Sequence, residues 1–219
     1  DYMLMTAAKN VTRDVSLVFD FIERPYSPVR FKELLVSPNE MKQKFIRLIN
    51  EEIKNKQAGK PAYILIKINH ITDPVMVKKL YEASSHGVRI DLLVRGNCSL
   101  ITGVPGVSDA IRINGIIDRY LEHSRIFIFA NGGDEKMFIG SADWMPRNLD
   151  NRVEVITPVY DSRIKEDLWK VIDFGLRDNC QGSVVDGSGK NCLWTTDTEE
   201  SFRSQEELYK YYKSHITND

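Results

Sequence analysis

The stretch EHSRIFIF, residues 122–129, places His123 and Arg125 at the head of an otherwise apolar run. Side chains alternate between the two faces of a β-strand, so these two polar side chains are expected on the same face. An arginine guanidinium can bind phosphoryl oxygens through two parallel hydrogen bonds, and a histidine beside it can donate a proton, accept one or be phosphorylated. Taken alone, the pair is better explained by a strand end that reaches solvent, so other residues must decide.

Two further polar clusters follow predicted strands. Arg95 lies in DLLVRGNCS, where Gly96 allows a sharp turn of the backbone. In GSADWMPRN, residues 140–148, small residues would let backbone N–H groups approach a phosphate, and Asp143 and Arg147 add charge. Arg95 alone could be a surface cation, and residues 140–148 alone could be a capped helix start. Because open α/β sheets bind ligands at the carboxyl ends of their strands, we predict that the three clusters converge on one cleft.

The composition limits the kinds of phosphate chemistry that the chain can perform. The formal net charge of the 219 residues is -1, which argues against a surface that attracts polyanions as a whole, so any anion site must be local. The patterns GxxxxGK[ST] and GxGxxG and the protein-kinase catalytic loop are absent from the sequence. These absences exclude phosphate chemistry of the P-loop or protein-kinase type.

The cysteines and the hydropathy pattern predict the compartment. Cys98, Cys180 and Cys192 lack CxxC or Cys/His ligand spacing, so neither a disulfide framework nor a zinc site is predicted, and a reducing cytosol fits best. No apolar stretch approaches the roughly 20 residues needed to cross a bilayer, and no signal peptide is visible. We therefore expect a soluble cytoplasmic protein without a transmembrane segment.

The hydrophobic pattern predicts an α/β domain with a mixed β-sheet flanked by helices. A first long helix is predicted with Ser37 as N-cap, Glu40 closing a capping box and Gly59 near its end. The strand AYILIKIN, a helix capped by Asp73 and ended by Gly87, and the strand RIDLLV form the unit that builds a parallel sheet. Further strands are predicted at SRIFIFA, KMFIGSA and RVEVITPVY, with a hairpin turn at NGGDE between the first two.

The remaining segments complete the domain. VTRDVSLVFDFIERP predicts a short amphipathic helix that Pro25 stops, and a later helix runs from Ser162 to about Arg177. The Gly/Ser/Asn-rich segment from about residue 179 to residue 198 predicts an irregular loop or arm, and SFRSQEELYKYYKSH predicts a last helix. We divide the chain into a domain of residues 1–178 and an arm and helix of residues 179–219 packed on it. The helix from Ser162 is expected to bury Ile164, Leu168, Val171, Ile172 and Leu176.

The segments HSRIFIF and FIGSADWMPRN together resemble a degenerate form of the phospholipase D signature, in which H-x-K and a downstream G-S-x-N build half of a phosphodiesterase site. Arg125 stands where that signature has a lysine, and Ala130 or Asn131 stands where it has an acid. The resemblance implies a phospholipase-D-like fold. Both departures count against phospholipase D chemistry.

A longer resemblance covers nearly the whole chain. Three segments are similar to the C-terminal catalytic domain of bacterial polyphosphate kinases of the large, phosphohistidine type: LMTAAKNVTRDVSLVFDFI, LLVRGNCSLITGVPGVSDAIR and DRYLEHSRIFIFANGGDEKMFIGSADWMPRNLDNRVEV. The resemblance implies a reversible transfer of the terminal phosphate of ATP to inorganic polyphosphate, with release of ADP. It also implies that the phosphorylated histidine belongs to the preceding domain, so this chain would hold half of an active site.

The same resemblance assigns roles to four residues. His123 matches a histidine that faces the phosphohistidine and would act as a general acid or as a hydrogen-bond donor. Arg95 matches an arginine that contacts the phosphates of ATP. Arg125 and Arg147 are candidates for contacts to polyphosphate, although either could pair with Asp143 or Glu122 as a structural bridge, and the sequence leaves both interpretations open. The ligands of Mg²⁺ are expected in the preceding domain, and no metal ligand is expected in this chain.

The setting of the chain is also an expectation. It begins at Asp1 without an initiator Met, so we expect a piece of a longer polypeptide that lacks activity by itself. The longer enzyme is expected to be a cytoplasmic homo-oligomer, with membrane association left open and with no nucleic-acid partner. Two other functions stay open: a phospholipase-D-like phosphodiesterase or nuclease half-site completed by a second copy, and a non-catalytic module that binds nucleotide or polyphosphate.

Overall fold

The computed structural model of the protein describes residues 2–190, 192–196 and 200–216. Within these residues the chain forms a mixed sheet of eight strands in the order β1-β7-β6-β5-β2-β3-β4-β8. The strands are β1 (Leu35–Ser37), β2 (Tyr63–Ile68), β3 (Arg89–Val94), β4 (Ile111–Ile116), β5 (Ile126–Phe129), β6 (Lys136–Gly140), β7 (Glu154–Val159) and β8 (Gly182–Val184). The helices are α1 (Lys9–Glu23), α2 (Met41–Gln57), α3 (Pro74–Ser85), α4 (Ser162–Arg177) and α5 (Ser204–Ile216). This architecture confirms the predicted mixed α/β fold.

The pairing of the central strands creates the edge where the polar clusters meet. β2 runs parallel to β3, with Tyr63 opposite Arg89, and the connection through α3 is the predicted strand–helix–strand unit. β5 runs antiparallel to β2, with Lys67 opposite Ile126, and β6 runs antiparallel to β5. The carboxyl ends of β2, β3 and β6 therefore lie beside the start of β5. We call this edge the cleft end of the sheet, and the edge that holds the β5–β6 turn the turn end.

Apolar layers on both faces hold the sheet in place. On one face α2 and α3 cover the sheet, and Phe45 packs against Phe127 and Trp144 with ring centroids 4.8 and 5.1 Å apart. On the other face α4 contributes Leu168 and its neighbours to a second cluster with Ile126 and Ile128. The alternation along β5 thus places its phenylalanines and isoleucines in different layers, as a strand requires. Among the described residues, no helix has the length and apolar composition to cross a membrane.

The predicted start of α2 is wrong. Ser37 is not the N-cap, because it lies in β1 opposite Glu154 of β7, and its hydroxyl donates to the backbone oxygen of Asn148. α2 begins at Met41 after Glu40, whose side chain makes no capping hydrogen bond. Strand pairing over a long sequence separation therefore overrides a local capping pattern. Asp73 caps α3 as predicted, accepting hydrogen bonds from the backbone N–H groups of the next turn.

The segment from residue 179 to residue 198 is more regular than predicted. It contains β8, which pairs antiparallel with β4 and places Val184 opposite Asn114. Trp194 is buried, and its indole N–H donates to the backbone oxygen of Leu176 at 2.8 Å. The glycines and serines predict a loop, but backbone pairing at a sheet edge does not require long apolar side chains. Residue 191 and residues 197–199 of this segment lie outside the described part of the chain.

Helix α4 has the predicted bounds but not all of the predicted inward side chains. Leu168, Val171 and Ile172 are buried, whereas Ile164 is 36% exposed. Ile164 lies in the first turn of the helix, so its apolar character does not by itself determine its burial. Helix α5 packs on α4, and the Tyr211 hydroxyl donates to Asp167 at 2.6 Å. The division of the chain after residue 178 stays a prediction.

Candidate active site

A cleft of about 610 Å³ opens at the cleft end of the sheet. Its lining includes His70 after β2, His123 and Arg125 before β5, and Asp143 and Arg147 after β6. Four of them lie within three residues of a strand, where the regular backbone ends and a side chain can face the crevice. Arg147 instead begins a π-helical turn, Arg147–Asn151. Two of the three predicted clusters therefore share this cleft.

His123 and Arg125 contact each other directly. The Nδ1 and Nε2 atoms of His123 each lie 3.1 Å from a terminal guanidinium nitrogen of Arg125, which also donates to the backbone oxygen of His123 at 2.9 Å. A neutral imidazole has one acceptor nitrogen, so Arg125 can donate to only one of the two ring nitrogens. Arg125 thus fixes the orientation of the His123 ring.

A buried ion pair holds Arg125 in turn. Its Nε lies 3.2 Å from Oδ1 of Asp143, and a terminal nitrogen lies 3.1 Å from Oδ2. Arg125 is 8% exposed and Asp143 is 5% exposed. Asp143 accepts further hydrogen bonds from the backbone N–H groups of Asn69 and His70 at 3.0 and 3.3 Å. Of the two interpretations of Arg125, this geometry favours the structural bridge to Asp143 over a contact to polyphosphate.

Arg95 does not line the same cleft but joins its hydrogen-bond network. It is half-buried beside Lys67 and Glu122, in a small adjacent pocket. Its Nε donates to Oδ1 of Asn69 at 2.9 Å, and Asn69 in turn donates to Asp143. Asn69 therefore links Arg95 to Asp143, the carboxylate that pairs with Arg125.

The turn after β6 differs from its predicted use. Gly140 is required by close packing, because a Cβ there would lie 2.3 Å from the backbone oxygen of Val155. The N–H groups of Ser141 and Trp144 donate to backbone oxygens of neighbouring segments, so these two do not offer the phosphate contacts predicted for small residues. Arg147 is exposed at the rim of the cleft, and no ion pair of its side chain occurs among the described residues.

The charges around His123 determine its protonation. Partial burial lowers the pKa of His123 from its usual value, and the nearby positive charges of Arg125 and Arg95 lower that pKa further, outweighing the opposite effect of Asp143. Burial raises the pKa of Asp143, but the hydrogen bond and charge of Arg125 more than offset this, so the net pKa lies below its usual value. At neutral pH the site therefore holds a neutral histidine and an ionised aspartate.

Sequence reasoning missed Asn69 and His70. Both follow β2 in the string KINH, and their position at the carboxyl end of a parallel strand is the signal that would have identified them. The Nδ1 atom of His70 accepts from the backbone N–H of Asn97 at 2.9 Å, which leaves the ring proton on Nε2. Gly96 is necessary for this contact, because a Cβ there would lie 2.4 Å from Cε1 of His70.

The residues of the cleft do not fit a magnesium site. Mg²⁺ prefers carboxylate and other oxygen ligands. The oxygens of Asp143 accept from Arg125 and two backbone groups, and those of Glu154 accept from Ser141 and Asn148. Within the part of the chain that the structure describes, no three or more His, Cys, Asp or Glu side chains group as metal ligands would. No step in this chain is therefore assigned to a metal ion.

Comparison with known proteins identifies the family. Residues 34–205 match the family described as polyphosphate kinase C-terminal domain 2, and this range covers most of the chain. The chain belongs to this family. The match includes every residue of the cleft network described above, and it begins after α1.

Polyphosphate kinases also match this chain over nearly all of its length. The chain is 44% identical over 214 residues to the polyphosphate kinase of Escherichia coli K12 and equally to that of Salmonella typhimurium LT2, in each case over 98% of this chain and 31% of the relative. The crystal structure of polyphosphate kinase from Porphyromonas gingivalis superposes with a TM-score of 0.92 at 40% identity, over 98% of this chain and 33% of that chain. The chain thus spans about a third of the length of the relatives that it matches.

A more distant likeness concerns the fold alone. A phospholipase D family member, Nuc from Salmonella typhimurium, superposes with a TM-score of 0.51 at 14% identity, over 70% of this chain and 96% of that chain. This confirms the predicted phospholipase-D-like fold. Chemistry does not follow from similarity at this level.

Proposed function

We propose that this chain is the C-terminal half of a polyphosphate kinase active site, in a longer enzyme that transfers the terminal phosphate of ATP to polyphosphate reversibly. The observation that carries the proposal is the connected network of His123, Arg125, Asp143, Asn69 and Arg95 beside a cleft, in a chain of that family. Such a site needs positioning and positive charge more than covalent chemistry from these residues.

The proposed reaction has two steps, with the nucleophile outside this chain. A histidine of the preceding domain attacks the terminal phosphorus of ATP, so a P–N bond forms while the P–O bond to ADP breaks and ADP leaves. A terminal oxygen of polyphosphate then attacks the same phosphorus, and the P–N bond breaks to regenerate the histidine. The residues of this chain face the phosphoryl group during both transfers.

His123 is best suited to donate a hydrogen bond. Its lowered pKa keeps the ring neutral at neutral pH, which disfavours the general-acid role among the two that the family resemblance implies. When Arg125 donates to one ring nitrogen, the proton resides on the other, which lies 3.1 Å from a second guanidinium nitrogen that cannot accept it. A phosphoryl oxygen in the cleft is an acceptor toward which this N–H would turn during transfer. Arg125 would contribute by orienting the ring.

Arg95 is proposed to bind the phosphates of the nucleotide. Asn69 engages its Nε, and within the described part of the chain no hydrogen bond of its two terminal nitrogens occurs, so they form a fork for phosphate oxygens. Arg147, exposed at the rim, is the better candidate for a contact to the polyphosphate chain, since Arg125 is held by Asp143. ATP, ADP and polyphosphate are thus the proposed ligands of this half-site.

The remaining features of the longer enzyme follow as proposals from the family. Mg²⁺ would accompany ATP and be bound outside this chain, because the cleft residues do not fit it. The enzyme would be a homo-oligomer and would work in the cytoplasm, where ATP is available, with any membrane association supplied by other parts of the protein.

The test compares two substitutions in the longer polypeptide that contains this chain. Removing a transition-state donor costs roughly 10²–10³ in rate, so His123→Ala should slow single-turnover phosphoryl transfer by that factor while nucleotide affinity changes little. Arg95→Ala should weaken nucleotide binding by on the order of 2–3 kcal/mol and slow turnover together. Arg163→Ala, at a side chain that is 90% exposed, is the matched arginine control and should change neither quantity.

Two results would contradict these assignments. If His123→Ala leaves single-turnover transfer unchanged and only loosens binding, the histidine is a phosphate contact. If the chain by itself hydrolyses a phosphodiester such as bis(p-nitrophenyl) phosphate and His123→Ala abolishes that activity, the phosphodiesterase alternative replaces the kinase.

A further inference from the structure

Asn69 connects the two halves of the cleft network. It is 1% exposed and directly follows β2. Its side-chain Oδ1 accepts from Nε of Arg95 at 2.9 Å, and its Nδ2 lies 3.4 Å from Oδ1 of Asp143. Its backbone N–H donates to the same carboxylate oxygen at 3.0 Å. The two partners fix the amide orientation, because a guanidinium only donates and a carboxylate only accepts.

The contacts continue on both sides of Asn69. Asp143 holds Arg125, which contacts both ring nitrogens of His123, so an unbroken series of polar contacts runs from Arg95 to His123. The backbone adds support, since the N–H of Gly96 donates to the backbone oxygen of Asn69 at 2.8 Å. The turn after β3 is thereby fixed to the residue that follows β2.

We propose that Asn69 is a positioning residue that sets the side chain of Arg95 and couples phosphate binding at Arg95 to the orientation and protonation of His123. The roles of Arg95 and His123 in this proposal rest on the proposed function, whereas the contacts of Asn69 do not. A phosphate that binds Arg95 shifts its guanidinium, whose Nε donates to Asn69. Because Asn69 also contacts Asp143, the shift changes the position of the carboxylate that pairs with Arg125.

The position requires an asparagine, because one planar amide supplies an acceptor to Arg95 and a donor to Asp143. An aspartate would keep the acceptor but would bring a second carboxylate close to Asp143, where two like charges oppose each other. A leucine has a similar size and would break both contacts. These two substitutions therefore separate charge at this position from hydrogen bonding.

The experiment measures His123 by NMR in this chain. The imidazole signals of the four histidines are titrated against pH, with His123 assigned by its loss in His123→Gln. Asn69→Asp should raise the pKa of His123 by about 1 unit, since it adds a negative charge beside Asp143, whose own charge raises that pKa. Asn55→Asp is the matched control: it adds the same charge at a buried asparagine beside the β5–β6 turn and should leave the pKa of His123 unchanged.

A second arm measures the coupling with inorganic tripolyphosphate as the probe. In the wild-type chain, saturation with tripolyphosphate should shift the His123 signal, and Asn69→Leu should reduce that shift at least several-fold. Arg95→Lys breaks the same contact from the other side, because lysine has no Nε, and it keeps a positive charge for the phosphate. It leaves residue 69 intact and should reduce the shift equally at saturation, so the test survives if the leucine variant does not fold.

The outcomes are distinct. The proposal is overturned if Asn69→Asp and Asn55→Asp give His123 the same pKa as the wild type, or if saturating tripolyphosphate shifts His123 equally in wild type and Arg95→Lys. If the coupling is present while the longer polypeptide makes no polyphosphate from ATP, the positioning role stands and the proposed function fails.

Discussion

The two ends of the sheet both hold buried charged groups, but they treat the charges differently. At the turn end, burial raises the pKa of Glu52 and lowers the pKa of Lys44, so in both cases the neutral form is favoured. At the cleft end, the pKa of Asp143 falls despite burial, because Arg125 pairs with it. The charged forms of Glu52 and Lys44 are therefore disfavoured at the turn end, whereas the charged form of Asp143 is favoured at the cleft end.

The hydrogen-bond partners explain this difference. Glu52 accepts from the backbone N–H groups of Tyr63 and Asn131, and Lys44 donates to the backbone oxygens of Phe31 and Leu34. These contacts attach backbone segments outside α2 to two side chains of that helix. At the cleft end, Asp143 and Arg125 pair with each other in addition to backbone groups, and Arg125 also contacts His123 in the cleft. The pairing of side chain with side chain, and not burial, therefore distinguishes the two ends.

The largest expected effect on stability tests the cleft end. Asp143→Ala leaves Arg125 buried without its counter-charge, so the free energy of unfolding should fall by about 3–5 kcal/mol. Asp143→Asn keeps an acceptor oxygen and should cost less. Urea denaturation of both variants, at constant m-value, measures the difference. A loss below about 1 kcal/mol in the alanine variant would mean that the pair contributes little to folding.

A smaller effect is expected at the turn end. Lys44→Met retains the apolar stem of the side chain and removes two hydrogen bonds to backbone oxygens, so unfolding should become easier by on the order of 1–2 kcal/mol. The same urea experiment measures it, with Lys54→Met as the control, because the Lys54 ammonium is exposed and pairs with the exposed Glu51. If Lys44→Met costs as much as Asp143→Ala, the distinction between the two ends is wrong.

The smallest expected effect is the pH dependence of the free energy of unfolding. The contributions of His123 at the cleft end and Glu52 at the turn end should change in opposite directions with pH. The folded pKa of His123 is lowered, so its contribution is complete above its usual value of 6.5 and is lost as the pH falls toward the folded pKa. The folded pKa of Glu52 is raised, so its contribution is complete below its usual value of 4.5 and is lost as the pH rises through the folded pKa.

Urea midpoints between pH 4 and pH 8 check these signs. His123→Gln should flatten the loss of stability on acidification below about pH 6.5, and Glu52→Gln should flatten the loss with rising pH above about pH 4.5. A wild-type chain that gains stability from His123 on acidification would show that the histidine is held in its charged form.

The sequence predicts the parts of the fold that local patterns determine. The unit from β2 to β3 follows from two short apolar runs, the Asp73 cap and the glycine after α3, and α4 has the bounds that its periodicity predicts. β1 and β8 are short and depend on pairing with distant strands, so a local pattern cannot reveal them. Ser37 illustrates the conflict, because a good capping residue is used in a strand instead.

The sequence also predicts some of the residues of the candidate site but not their contacts. His123, Arg125, Asp143 and Arg147 could be identified from residue type and position near strand ends, and two predicted strands, β5 and β6, place them in the cleft. The sequence named the pairing of Arg125 with Asp143 as one of two interpretations but could not choose between them, because the choice depends on the distance between two turns. Asn69 was missed because an asparagine after a strand commonly terminates it and carries no charge.

The most direct test identifies the histidine that carries the phosphate. The longer polypeptide is incubated with labelled ATP and magnesium, and the phosphohistidine is located by mass spectrometry under alkaline conditions, in parallel with this chain by itself. We expect the label on a histidine outside this chain, none on His123, and neither label nor polyphosphate from this chain by itself. A stable phosphate on His123, or net synthesis of polyphosphate by this chain by itself, would contradict the central claim that His123 assists the transfer without carrying the phosphate.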